Sequence, residues 1–137
     1  MKEELQQKLY EQYPKLFVQK DLPMSITNMC WGCCVGSGWY NILEAMCSAI
    51  QTYVDKRKEE SDEFVQIEFE QVKEKFGRLR VYCNRYEPTV ESYIAFAERL
   101  SGVTCEDCGA PGTLRNTGWI ACRCDPCQQK YNEARGI

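Results

Sequence analysis

Histidine is absent from all 137 residues. That removes Ser-His and Cys-His catalysis, HExxH chemistry and any mixed Cys/His zinc site. Long apolar runs are missing too, so no transmembrane helix is expected. The start, MKEELQQKLY, is charged and amphipathic and has no apolar stretch, so no signal peptide is expected. No internal repeat or low-complexity tract interrupts the chain. Excess positive charge is also lacking. The net charge of −3 argues against a broad nonspecific nucleic-acid footprint, while leaving room for a local patch.

Cysteine, by contrast, is plentiful, with 10 residues. Without an export signal these thiols are expected to stay reduced, and paired CxxC spacing then points to metal rather than to disulfides. Hydrophobic residues make up 44% of the chain, enough for a real core. The length suits one domain with a small appendage. The expected division is a core domain over 1–102 and a zinc ribbon over 103–137.

The firmest signal lies in residues 105–127, CEDCGAPGTLRNTGWIACRCDPC. Cys105 and Cys108 form one CxxC pair, and Cys124 and Cys127 form another. Zinc is held tetrahedrally by four thiolates, and each CxxC turn aims two sulfurs at one ion. Gly109 suits the tight turn after the first pair. Pro111-Gly112 and Asn116-Thr117-Gly118 punctuate short strands between the pairs. Cys122 is a fifth thiol that an extended strand would turn to the same side as Cys124, and it competes as a ligand. Cys124 is preferred, because the second knuckle then mirrors the first. Four protein thiolates leave no open coordination position, so the expected Zn2+ is structural. In so short a segment it would supply much of the folding energy.

Along the rest of the chain, Leu5, Leu9 and Tyr13 form a helical stripe over 2–13, closed by Pro14. Residues 15–38 read as loop. A second helix is expected from Trp39, capped by Ser37 or Gly38, with Trp39, Leu43, Met46, Cys47, Ile50 and Val54 facing inward. DKRKEESDE, residues 55–63, reads as a charged linker. FVQIEFE alternates as a strand with Val65, Ile67 and Phe69 inward. RLRVYC is a second strand with Leu79, Val81 and Cys83 inward, joined to the first by QVKEKFG in an antiparallel hairpin with a bulge or wide turn. Glu68 and Glu70 would then face Arg78 and Arg80. Pro88 suits the first turn of a third helix, whose apolar face is Val90, Tyr93, Ile94, Ala97 and Leu100, and Gly102 its stop. The expected fold is therefore α+β: helices packed on an antiparallel β-hairpin, followed by a zinc ribbon.

Weaker constellations surround this frame. Lys73, Lys75, Arg78, Arg80 and Arg85 lie close together with Phe76, Tyr82 and Tyr86 interleaved. They suit a phosphate or nucleic-acid surface, although a solvated face paired to Glu68, Glu70 and Glu74 is the favoured reading. Gly36-Ser37-Gly38 could present N–H groups to an anion, or simply start a helix. Trp31, Trp39 and Tyr40 could line a ligand pocket, or belong to the core. Cys30 and Cys33 form a CxxC that would need Cys34, Cys47 or Cys83 to complete a second metal site. The favoured reading of residues 29–47 is an aromatic loop leading into a core helix with Cys47 buried.

Several stretches taken together resemble a family of small proteins of unknown function encoded by phages and prophages. They are Cys30-Trp31-Gly32, Gly36, Gly38-Trp39-Tyr40 and Cys47. Further along come Val72-Lys73-Glu74-Lys75-Phe76-Gly77 with Leu79-Arg80, and Cys105-x-x-Cys108-Gly109 with Thr117-Gly118-Trp119-Ile120 and the closing CxxC. The resemblance implies a dispensable phage accessory protein, acting in the bacterial cytoplasm, that inhibits host defences or rewires host machinery. The expected function is non-enzymatic: binding a host anti-phage defence factor or sequestering its nucleotide signal, with Lys73 to Arg80 as contact surface and Trp31 and Trp39 as the alternative. The second reading is a zinc-ribbon nucleic-acid binder or transcription modulator.

Overall fold

The computed structural model describes the backbone of residues 1–137 and every side chain except that of Thr117. The fold is α+β, with four α-helices, a three-stranded sheet and a separate two-stranded hairpin among the described residues. Helix α1 is Glu3–Gln12, strand β1 Cys33–Cys34, and helix α2 Tyr40–Glu60. Strands β2, Phe69–Lys75, and β3, Arg78–Cys83, precede helix α3, Pro88–Ser101. The chain closes with β4, Thr113–Thr117, β5, Trp119–Arg123, and helix α4, Asp125–Ala134.

The inner face of α2 is as its period predicts. Leu43, Met46, Cys47, Ile50 and Val54 are buried, joined by Ile42 and by Trp39 just before the helix. The helix runs further than its composition suggested. Residues 55–60 are helical, and i, i+3 and i, i+4 contacts run along this stretch: Gln51 Nε2 donates to Asp55 Oδ1 at 2.7 Å, and Arg57 lies 3.7 Å from Glu60. Neither Ser37 nor Gly38 caps the start. A 3₁₀ turn, Ser37–Trp39, leads in instead, and Ser37 Oγ accepts from the backbone N–H of Lys2 at 2.9 Å.

The sheet departs most from expectation. The alternation of residues 64–70 placed the first strand five residues early. Ile67 and Phe69 are buried, but Val65 is 47% exposed. Asn84 accounts for this. Its side chain accepts from Glu68 N–H at 2.9 Å and donates to the Gln66 carbonyl at 3.2 Å, standing in for a ladder there. The true strand uses the supposed linker QVKEK, bulged between Phe69 and Gln71. Its turn has only two residues, Phe76 (φ 53°) and Gly77 (φ 81°), both left-handed as a tight hairpin demands. Register therefore pairs Lys73 with Arg80 and Lys75 with Arg78, not the glutamates with the arginines.

A third strand was hidden in the first loop: β1 pairs parallel to β2, with Cys33 opposite Val72. That loop also supplies core. Leu16, Phe17 and Met29 are buried, and the Phe17 ring meets Phe69 edge-on at 5.1 Å. On the other side, Ser101 Oγ accepts from Leu79 N–H at 2.9 Å, and Glu98 Oε2 from Val81 N–H at 3.2 Å. Helix α3 thus covers the free edge of β3. It starts as predicted at Pro88, with Glu87 Oε2 accepting from Val90 N–H at 3.0 Å. Gly102 closes it without a left-handed φ. A side chain there would instead strike the Arg78 guanidinium.

Candidate metal centre

Two knuckles build the centre. In the first, Gly109 N–H donates to the Cys105 carbonyl at 2.9 Å, and Gly109 takes φ +84°, which a β-carbon would strain. Cys105 N–H donates to the Ala110 carbonyl at 2.7 Å. Strands β4 and β5 then carry the chain away and back in register from Thr113–Arg123 to Thr117–Trp119. The second knuckle is the start of a helix. Cys124 is the N-cap of α4, Asp125 and Pro126 open the first turn, and Cys127 lies within it. A thiolate there meets unpaired N–H groups and the positive end of the helix. Sequence reading missed α4, although an Asp-Pro pair at this point is a helix-start signal.

The sulfurs of Cys105, Cys108, Cys124 and Cys127 all lie within 4.8 Å of one another. Cys108 and Cys124 are 3.6 Å apart. Two thiolates on a tetrahedral zinc at 2.3 Å each would stand about 3.8 Å apart, so the set fits a four-sulfur metal. These residues can hold a metal ion, and with four protein ligands they leave no position open for a substrate. Burial opposes ionisation of Cys105, but backbone hydrogen bonds at Cys124, Cys108 and Asp107 outweigh it and bring the thiol down to about 7. Cys127 moves the other way, raised by burial and by sharing hydrogen with Cys124, Cys108 and Cys105. Such opposed shifts are what four sulfurs around one negative charge produce, and a divalent cation removes that competition. Arg123 and Lys130 line the same cleft as Cys108 and Cys127. Arg123 also ties the centre together: Nε donates to Asp107 Oδ2 at 3.0 Å, and the guanidinium stacks 4.0 Å over the Tyr131 ring of α4.

Cys122 is excluded as a ligand. It is fully buried in the main core, and its Sγ donates to the Gly102 carbonyl at 3.5 Å. The N-terminal cysteines form no second cluster among the described residues. Burial pushes Cys33 up to about 12 and also raises Cys47, while Cys30 Sγ turns to the Thr27 carbonyl.

The Gly-Ser-Gly turn already has an anion, an internal one. Gly36 N–H donates to Glu106 Oε2 at 2.9 Å, and Gly38 N–H to the Glu106 carbonyl at 2.7 Å. The turn is the seat for the first knuckle. Trp39 belongs to the same joint: it is wholly buried, and its Nε1–H donates to the Thr104 carbonyl at 2.9 Å. That corrects its reading as a contact residue, since no surface of it is left to touch a partner. Trp31 is 63% exposed.

No family model, curated protein or solved structure matches this chain. Its surface must speak for itself. The outward face of β2 and β3 carries Lys73, Lys75, Arg78 and Arg80 as two facing rungs. Among the described residues none of the four lies within 4 Å of a carboxylate. Of the glutamates expected opposite them, Glu68 accepts from Gln19 and Glu74 from Gly77 N–H, while Glu70 lines a cleft with Arg80 and Arg85. Among the described residues no helix is long and apolar enough to cross a membrane.

Proposed function

We propose that this chain is a non-enzymatic, zinc-holding phage accessory protein that works by binding. Its partner is a host anti-phage defence factor or that factor's nucleotide signal, met in the bacterial cytoplasm. The four-thiolate donor set and its spacing support zinc, as a structural ion. The phage setting rests on the motif resemblance alone.

One observation carries the binding role: like charges stand opposite each other on an open strand face. Lys73 faces Arg80 and Lys75 faces Arg78. Directly opposed like charges destabilise a sheet, so an arrangement that keeps four of them is best supported as a seat for a negatively charged partner. The test is a nucleotide-binding screen together with a pulldown from bacterial lysate, each run with the wild-type chain and with Arg78→Ala/Arg80→Ala. Binding of a partner that the double variant loses supports the proposal; no partner at micromolar affinity from either assay removes it.

Tyr82, exposed at the base of the same strip, favours a second reading, nucleic-acid binding. That reading requires affinity that falls steeply with salt, with a shallower slope in the double variant.

A further inference from the structure

We infer that the cleft between the two hairpin tips is a nucleotide site, in which a base stacks on Trp119 or Phe76 while its phosphates lie on Lys75 and Arg78. This rests on the nucleotide arm of the preceding proposal and gives it a location. Gly77 is buried, and a β-carbon there would meet Leu114, Ala121 and Cys122, so the β2–β3 turn sits directly against the β4–β5 hairpin. The two tips enclose a cleft of about 320 Å³ whose walls include Lys75, Phe76, Gly118 and Trp119. Phe76 is 67% and Trp119 66% exposed, and neither stacks on another ring among the described residues. Lys75 Nζ already stands 5.8 Å from the centre of the Phe76 ring.

The strip leading away from this cleft is built of cations. Lys75 and Arg78 form the first rung, and Lys73 and Arg80 the second, two residues or about 6.6 Å further along. Flat π-faces beside paired cations are what a base with attached phosphates requires. Glu74, another wall of the cleft, offers an acceptor to a base amino group. An acidic peptide would use the cations but leave the aromatic cleft empty. A long nucleic-acid strand would find little beyond the strip, because the chain carries a net charge of −3. The ligand favoured is therefore a small nucleotide.

Isothermal titration of the zinc-loaded full chain with ATP, GTP, a cyclic dinucleotide, ribose 5-phosphate and a ten-residue dT strand tests the site. At least one base-bearing nucleotide should bind in the micromolar range, with ribose 5-phosphate tenfold weaker or more. Trp119→Ala and, separately, Lys75→Ala/Arg78→Ala should each weaken it about tenfold, whereas Trp31→Ala should not. Retained zinc shows that a variant is folded; should Trp119→Ala lose the metal, Phe76→Ala takes its place. Absence of nucleotide binding, equal affinity for ribose 5-phosphate, tighter binding of the dT strand, or indifference to the tip variants overturns the site. A host protein still captured by the wild-type chain but not by Arg78→Ala/Arg80→Ala would then leave the broader binding proposal standing.

Discussion

Gly38→Ala is a small change with a large expected cost. The added methyl would lie 2.6 Å from the Glu106 carbonyl oxygen and 2.6 Å from Gly109 N, and it would also strike the Cys105 carbonyl. Carbon contacts relax only at about 3.5–4.0 Å. All three obstacles are backbone of the first metal knuckle, so none can rotate away. Overpacking of this kind costs about 1–3 kcal/mol. The 2.7 Å bond from Gly38 N–H to the Glu106 carbonyl would lengthen as the knuckle retreats, adding about 1 kcal/mol. A total of about 3 kcal/mol should lower Tm by roughly 10 °C in a chain of this size. Gly118→Ala is the control: nothing lies within 4 Å of a β-carbon there, and only its φ of +89° opposes the change, at about 1 kcal/mol. Thermal melts of the zinc-loaded proteins by circular dichroism decide the matter. If Gly38→Ala melts no lower than Gly118→Ala, the seat of the ribbon has been misread.

Cys124→Ser should abolish one-to-one metal binding, while Cys122→Ser should retain the ion and lose only core stability; native mass spectrometry separates them. Cys34 is exposed whereas Cys33 and Cys47 are buried, so iodoacetamide at pH 8 should label Cys34 and spare the other two, read by peptide mapping. Stability should also fall at high pH. Burial lifts Cys33 and Cys83 from 9.0 to about 12, so native thiols stay protonated while unfolded ones ionise. Their contribution is complete below pH 9.0 and is lost as pH rises toward about 12, at about 1.4 kcal/mol per pH unit for each thiol. Urea melts between pH 8 and 11 that show no decline would contradict this.

The parts legible in the sequence were those fixed by local chemistry. Two CxxC pairs, the period of α2 and the Pro88 start of α3 each follow from neighbours a few residues apart. What escaped depends on partners far along the chain. Apolar alternation marks buried residues, not hydrogen-bonded ones, so it found Ile67 and Phe69 but set the strand too early. A phenylalanine with positive φ hid the two-residue turn, where Asn or Asp is the usual sign. The Gly-Ser-Gly turn reads first as a plain helix entry and second as an anion site, yet one of its N–H groups, that of Gly36, is indeed aimed at a carboxylate. Only the fold supplies the fact that Glu106, seventy residues later, is that anion.

The sheet's two outer strands bear on how any partner can attach. Ser101 and Glu98 occupy the outward N–H groups of Leu79 and Val81, and Gln6 Oε1 accepts from Cys33 N–H at 2.8 Å on the opposite margin. These three margin N–H groups are already taken by side chains, and β1 is only two residues long. Recognition by adding a strand, a common route for extended peptides, therefore has no template here. Whatever meets this sheet must read its side chains face-on.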